Sequence, residues 1–371
     1  MPETLTPAQL TRDLAVRDLT DPAAGPHALQ LVVERAVAAV AGRWSCAAVR
    51  WWRGDRVVTV ADNYDNLGYH PADVTRDARY TRYVDAGHVL RSHSSALVPA
   101  ALRALAANPA DDVLLVCPGL VYRRDSIDRL HSGTPHQLDL WRVTRGKTTR
   151  RDLEDLVGTL VEGLLPGRQW RLEPRRHPYT VDGAQLDVER DGEWVEVAEC
   201  GLAQPAVLAR AGLHDGWSGL ALGMGLDRML MLLKGIPDIR LLRSREPAVA
   251  AQLADLAPYR PVSALPPVRR DLSIAVAADD RAEDLGDRVR TALGADADVV
   301  ESVEIRQETP CADLPPQARK RLGATADQKN LLVRLTLRPL GTTLSDPEAN
   351  VLRDRAYAAL HQGSVHQWAA G

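Results

Sequence analysis

The sequence predicts an α+β protein: a mostly antiparallel sheet flanked by helices, followed by a smaller ferredoxin-like unit of order βαββαβ. Its length, 371 residues, suits two or three domains, each large enough to bury a core without disulfide staples. HALQLVVERAVAAVA, from His27 to Ala41, carries apolar residues at helical spacing, and WSCAAVRWWRGDRVVTVADN then alternates as strands do. Further strand-like runs are DDVLLVCPGLVYR, QLDLWRVTR, GEWVEVAECG and SGLALGMG, the last feeding straight into helical LDRMLMLLKG. The pattern weakens after residue 243, and SALPP at 263–267 reads as entry to a new unit. There VRRDLSIAV, DVVESVEIR and NLLVRLTLR read as strands, RAEDLGDRVRTALG and SDPEANVLRDRAYAAL as helices, and GSVHQW as a short last strand. The expected divisions are an extension over 1–26, a main domain over 27–243, a linker over 244–263 and a C-terminal domain over 264–371.

Composition narrows the function classes. A hydrophobic fraction of 45% and a charged fraction of 26% exclude wholesale disorder and a collagen-like chain. No run of 18 uncharged apolar residues and no secretory leader is visible, so a cytoplasmic protein without a membrane span is expected. Cys46, Cys117, Cys200 and Cys311 lie far apart with no C-x-x-C pair, which argues against zinc or redox motifs. A net charge of -3 means that any nucleic-acid surface must be local. Phe is absent, whereas Trp and Tyr each occur eight times.

Two stretches interrupt strands with polar and glycine residues. In CPGLVYRRDSIDRLHSGTPHQLDLW, Arg123 and Asp125 share a strand face, and Gln137 and Asp139 share one on the return strand, a set suited to a phosphate-bearing ligand. In WSGLALGMGLDRMLMLLKGIPDIR, Gly223 and Gly225 remove side chains at a strand end and Arg228 follows on the first helical turn, so a planar ligand or phosphate can approach backbone. Taken singly, the first also reads as a solvated hairpin and the second as a tight strand-to-helix turn.

Together, in this order, the two stretches resemble motifs 2 and 3 of class II aminoacyl-tRNA synthetases. GMGLDRMLMLLKGIPDIR and VYRRDSIDRLHS followed by HQLDL are similar to those of phenylalanyl-tRNA synthetase α-type chains. GEWVEVAECG, LRSHSS and PPVRRDLSIAV resemble that family's Trp-Ile-Glu-Val strand, its Arg-Thr-His-Thr-Ser segment and the opening of its anticodon-binding domain. The resemblance covers residues 60–371 and is similar to the monomeric organellar form. It implies ATP and Mg2+ as cofactors, with an aromatic amino acid and tRNA, the tRNA for Phe, as partners of a monomer or homodimer. Arg123 would contact the α-phosphate and Arg228 the γ-phosphate, with Asp125, His131, Gly223 and Gly225 completing the nucleotide site. Glu196 would be the magnesium carboxylate. His93, Ser95, Gln137 and Asp139 would hold the amino acid's charged groups, while His177, Tyr179, Leu220 and Ala221 would line its side-chain pocket. Arg269 and Arg270 would meet tRNA backbone.

The pattern breaks at informative places. His177 and Tyr179 stand where the family has Phe, Leu220 and Leu222 flank the retained Ala221, Pro135 replaces the adenine-stacking Phe, Glu199 replaces a Gly, and Asp139 replaces Glu. Hydrogen-bonding groups in an apolar pocket favour a polar ring over Phe. The expected function is ATP-dependent formation of an aromatic aminoacyl adenylate and transfer to tRNA. The alternatives are adenylate formation for secondary metabolism without tRNA, and a catalytically silent tRNA-binding regulator. The missing Phe suits a chain that must be made when tRNA for Phe is scarce or mischarged.

Overall fold

The computed structural model describes residues 4–44, 46, 48–262, 266–340 and 342–366. They sort into two units, one running to Arg123 and including Thr134–Ile236 and Gln252–Tyr259, the other comprising Arg124–Gly133, Pro237–Ala251 and the chain from Arg260. The first unit opens with α1 (Pro7–Leu14), α2 (Ala28–Trp44), β1 (Ala48–Trp51), β2 (Val57–Thr59), α3 (Val60–Asn63), β3 (Arg82–Tyr83) and β4 (His88–Leu90). It continues with α4 (Val98–Ala107), β5 (Asp112–Leu120), β6 (His136–Arg145), α5 (Arg150–Leu164), β7 (Trp170–Pro174), β8 (Thr180–Arg190), β9 (Glu193–Ala203), α6 (Pro205–Arg210), β10 (Trp217–Gly225) and α7 (Leu226–Lys234). The second unit contains α8 (Pro247–Ala250), β11 (Val268–Ala277), α9 (Ala282–Leu293), β12 (Val300–Pro310), α10 (Pro316–Leu322), β13 (Gln328–Leu337) and α11 (Asp346–Leu360).

The main sheet has seven strands in the order β1-β5-β6-β10-β9-β8-β7, antiparallel except for the β1–β5 pair. Its core on one face joins Leu97, Leu102, Leu115, Trp141, Tyr179 and Ala221. Trp141 is fully buried, and a buried side chain of this kind contributes roughly 2–3 kcal/mol. Helix α5 starts where the sequence permits it: Thr149 and Asp152 form a reciprocal capping box, whose loss costs about 1 kcal/mol.

The second unit's sheet runs β11-β13-β12, with α9 and α11 supplying Leu285, Val289, Ala356 and Tyr357 to its core. The strand expected from GSVHQW is not formed over residues 363–366, and its remainder lies outside the described residues, as do residues 263–265 at the junction of the expected linker and C-terminal domain.

The division differs from the expected one at the N-terminus, within residues 124–133, and after residue 236, where Pro237–Ala251 falls in the second unit and Gln252–Tyr259 in the first. Residues 4–26 belong with the main unit, because their polar side chains serve as caps and ion pairs: Thr6 caps α1, and the buried Asp13 carboxylate lies 2.7 Å from Arg82. Residues 124–133 group with the second unit, where Ile127 enters the core, while Leu130 stays exposed, and the Ile127 carbonyl accepts a 3.0 Å hydrogen bond from Val303 N. Arg129 pairs there with Glu301 at 2.8 Å.

Candidate active site

Strand register brings the two arginine-bearing segments together. β5 and β10 both pair antiparallel to β6, so they run in the same direction and end at the same edge of the sheet. Gly119 and Gly225 lie opposite the same residue, Gln137. The strand that leads to Arg123 and the strand that leads into α7, which carries Arg228, are therefore two positions apart in the sheet, roughly 10 Å at ordinary strand spacing. Each guanidinium is anchored: Arg123 Nε donates to Ser92 O at 3.0 Å, and Arg228 Nη1 donates to Glu196 O at 3.1 Å. A buried lock fixes the junction. His136 Nδ1 lies 2.9 Å from Asp227 Oδ1 at the start of α7, the His136 N–H donates to the same carboxylate, and Leu19 N–H donates to Nε2 at 3.1 Å. Gln137 and Arg228 are the next residues along their chains.

The next row across the sheet is Asp139, Gly223 and Glu199. Neither Gly223 nor Gly225 has a positive φ. A Cβ at Gly223 would find Asp139 Oδ2 at 3.6 Å, and one at Gly225 would meet nothing within 4 Å. The two glycines thus leave bare sheet surface rather than relieve backbone strain. Asp139 is bound by Ser94 Oγ at 2.5 Å and by Trp141 Nε1 at 3.2 Å. Burial raises its pKa to about 6 against the opposing hydrogen bonds from Ser94, Trp141 and Ser95. Gln137 Oε1 accepts from Ser94 N at 3.1 Å.

A third row, Trp141, Ala221 and Gly201, floors an aromatic array. His177 stacks on Tyr179 (5.6 Å, 21°), Tyr179 tilts against Trp141 and Tyr69, and Tyr69 stacks on His93 (5.6 Å, 21°). Burial pushes the hydroxyls of Tyr69 and Tyr179 up, so both stay protonated. His93 has both ring nitrogens buried without a hydrogen-bond partner, and burial with the neighbouring Arg123 charge lowers its pKa to about 3. Strand alternation directs Leu220 to the opposite face of β10 from Ala221, where it is buried.

The sequence-expected residues divide accordingly. Arg123, His93, Ser95, Gln137, Asp139, His177, Tyr179, Ala221, Gly223 and Gly225 gather on one face of the main sheet, and Arg228 lies on α7 at the end where Gly225 closes β10. Asp125 and His131 lie in the second unit, where Arg290 donates to Asp125 O and His131 Nδ1 lies 2.7 Å from Asp128 Oδ2. Pro135 has its carbonyl paired with Val121 N at 2.9 Å. Glu196 is exposed, and among the described residues no three His, Cys, Asp or Glu side chains converge as a metal site, so a magnesium here would take most of its ligands from phosphate and water. In the second unit Arg269 is exposed, whereas Arg270 pairs with Asp346 at 2.6 Å and with Asn350. Sequence reasoning missed Tyr69, the His136–Asp227 lock and Trp141. The last was readable, since two residues after Asp139 means the same strand face.

The fold is an antiparallel sheet flanked by helices, and residues 35–253 match the family described as tRNA synthetases class II core domain (F), to which the chain belongs. Within that class it is a phenylalanyl-tRNA synthetase-like protein. It is 34% identical over 234 residues to a phenylalanine--tRNA ligase alpha subunit of Prochlorococcus marinus, covering 61% of this chain and 66% of that one. The corresponding subunit of Nostoc punctiforme is 30% identical over 233 residues, covering 62% and 68%. The chain thus spans about two thirds of these relatives. A pyrrolysyl tRNA synthetase, PylSc of Desulfitobacterium hafniense, aligns with a TM-score of 0.44 and 19% identity over 63% of this chain and 78% of that one.

Proposed function

We propose that the chain activates an aromatic amino acid with ATP and transfers it to tRNA. The observation that carries this reading is the pair of anchored guanidinium groups at one sheet end, beside the bare surface of Gly223 and Gly225. The amino acid's carboxylate attacks the α-phosphorus, forming a mixed anhydride and releasing pyrophosphate. Charge then builds on non-bridging oxygens, and fixed Arg123 stabilises it without reorganisation, while Arg228 holds the departing pyrophosphate. No general base is required, because the nucleophile is already ionised. Magnesium, when bound, neutralises phosphate charge, and Glu196 is the carboxylate assigned to it. Gln137, Asp139 and His93 position the substrate's ammonium and carboxylate groups. In the second step the ribose hydroxyl of tRNA displaces AMP, with Arg269 on the nucleic-acid backbone.

ATP–pyrophosphate exchange tests the first step. Arg123→Ala and Arg228→Ala should each lower exchange by about 10²–10³-fold, the range for removing one preorganised donor. Absence of any amino-acid-dependent exchange in the intact chain refutes activation, and exchange without charging of total tRNA selects adenylate formation alone.

A further inference from the structure

Glu199 is the one charged group in the aromatic array to which sequence reasoning gave no role. It faces the pocket beside Gly223, whose missing side chain leaves the carboxylate uncovered on that side. Its Oε1 lies 3.3 Å from His177 Nε2, and apart from His177 no described side chain or backbone N–H reaches it. His177 Nε2 itself is buried without an aligned hydrogen bond. The placement of the ring is built in. His177 Nδ1 lies 3.3 Å from Thr180 Oγ1 and Gly183 gives both residues room, since a Cβ there would strike Arg175 O and crowd both groups. Gly201 does the same for Thr180 from the neighbouring strand.

We propose that His177 and Glu199 form a recognition pair that selects an aromatic amino acid carrying a hydrogen-bond donor on its ring, a phenolic hydroxyl or a ring amine, over phenylalanine. This rests on the reading of the chain as an aromatic amino acid ligase. An ionised carboxylate only accepts hydrogen bonds, so the complementary ring group must donate. Glu199 is ionised because His177, Arg123 and Arg175 outweigh the upward push of burial. A plain phenyl ring entering this space displaces water and leaves the carboxylate's remaining acceptor positions unpaired, whereas a donor ring replaces that water. The two departures from the family pattern at these positions thereby become one coupled change. Composition points the same way. Loading such an analogue onto tRNA that reads Phe codons would alter other proteins but leave this chain, which has no Phe, unchanged.

Calorimetric binding to the full chain tests the proposal with phenylalanine, the three tyrosine isomers, para-aminophenylalanine and O-methyltyrosine. At least one donor ring should bind about tenfold or more tighter than phenylalanine, and O-methyltyrosine, which accepts but does not donate, should not. The isosteric Glu199→Gln variant should collapse that ratio, and the paired His177→Phe, Glu199→Gly variant should invert it. Phenylalanine or O-methyltyrosine binding as tightly as every donor ring, or a ratio unmoved in both variants, overturns the proposal. A donor preference in binding with no exchange refutes the ligase reading alone, whereas exchange fastest with phenylalanine refutes the recognition pair alone.

Discussion

Asp139→Asn should make the unliganded protein more stable and much less active. The wild-type carboxyl titrates at about 6 in the fold against 3.8 for an unperturbed aspartate. At about 1.4 kcal/mol per pH unit, that difference makes the ionised native form roughly 3 kcal/mol costlier at pH 7.5. Because the native carboxyl holds its proton more tightly than the unfolded one, its contribution favours the fold below pH 4 and is lost as pH rises through 6. Asparagine cannot ionise, yet its amide oxygen still accepts from Trp141 Nε1 and its amide nitrogen can donate to Ser94 Oγ, two of the groups that bind the wild-type side chain. Urea unfolding followed by tryptophan fluorescence should therefore show a stability gain of up to about 3 kcal/mol at pH 7.5 that shrinks toward zero near pH 4. A gain independent of pH, or a less stable variant at pH 7.5, refutes the assignment. The same variant should lose about 10²-fold in amino-acid-dependent exchange, since the substrate ammonium needs the charge, which makes Asp139 a site where stability is given up for binding.

Gly201→Ala should destabilise the main unit by about 1–3 kcal/mol, because its Cβ would lie 2.6 Å from Thr180 Cβ. Gly223→Ala meets only ordinary contacts, so its thermal midpoint should stay near wild type while exchange kinetics show weaker ATP or amino-acid binding. Asp227→Ala removes the buried hydrogen-bond partner of His136 and should cost about 1–3 kcal/mol in unfolding experiments, with exchange reduced as Gln137 and Arg228 lose register. Arg269→Ala should reduce the log–log salt slope of tRNA binding by about 1, whereas Arg270→Ala, whose partner is already Asp346, should change it less.

What the sequence made legible follows from the range of the interactions involved. Period-two alternation put Gln137, Asp139 and, had it been followed further, Trp141 on one face, and the glycines at 223 and 225 announced bare surface on the neighbouring strand. The antiparallel frame and the strand-to-helix step at Arg228 were readable for the same reason, since each depends on a few consecutive residues. Partners distant in sequence were not. Tyr69 meets His93 and Tyr179 across the fold, and Leu19 reaches His136 over more than a hundred residues. Nothing local marks either. Glu199 falls between these cases. Its presence was visible as a departure from a glycine-containing pattern, but its meaning needed the register that puts it level with Gly223 and within 3.3 Å of His177. Read separately, His177 and Glu199 are two losses of apolar character. Read together they place a carboxylate and an imidazole side by side inside an aromatic pocket, and polar groups that cost desolvation to maintain there are completed by a ligand that pairs with them.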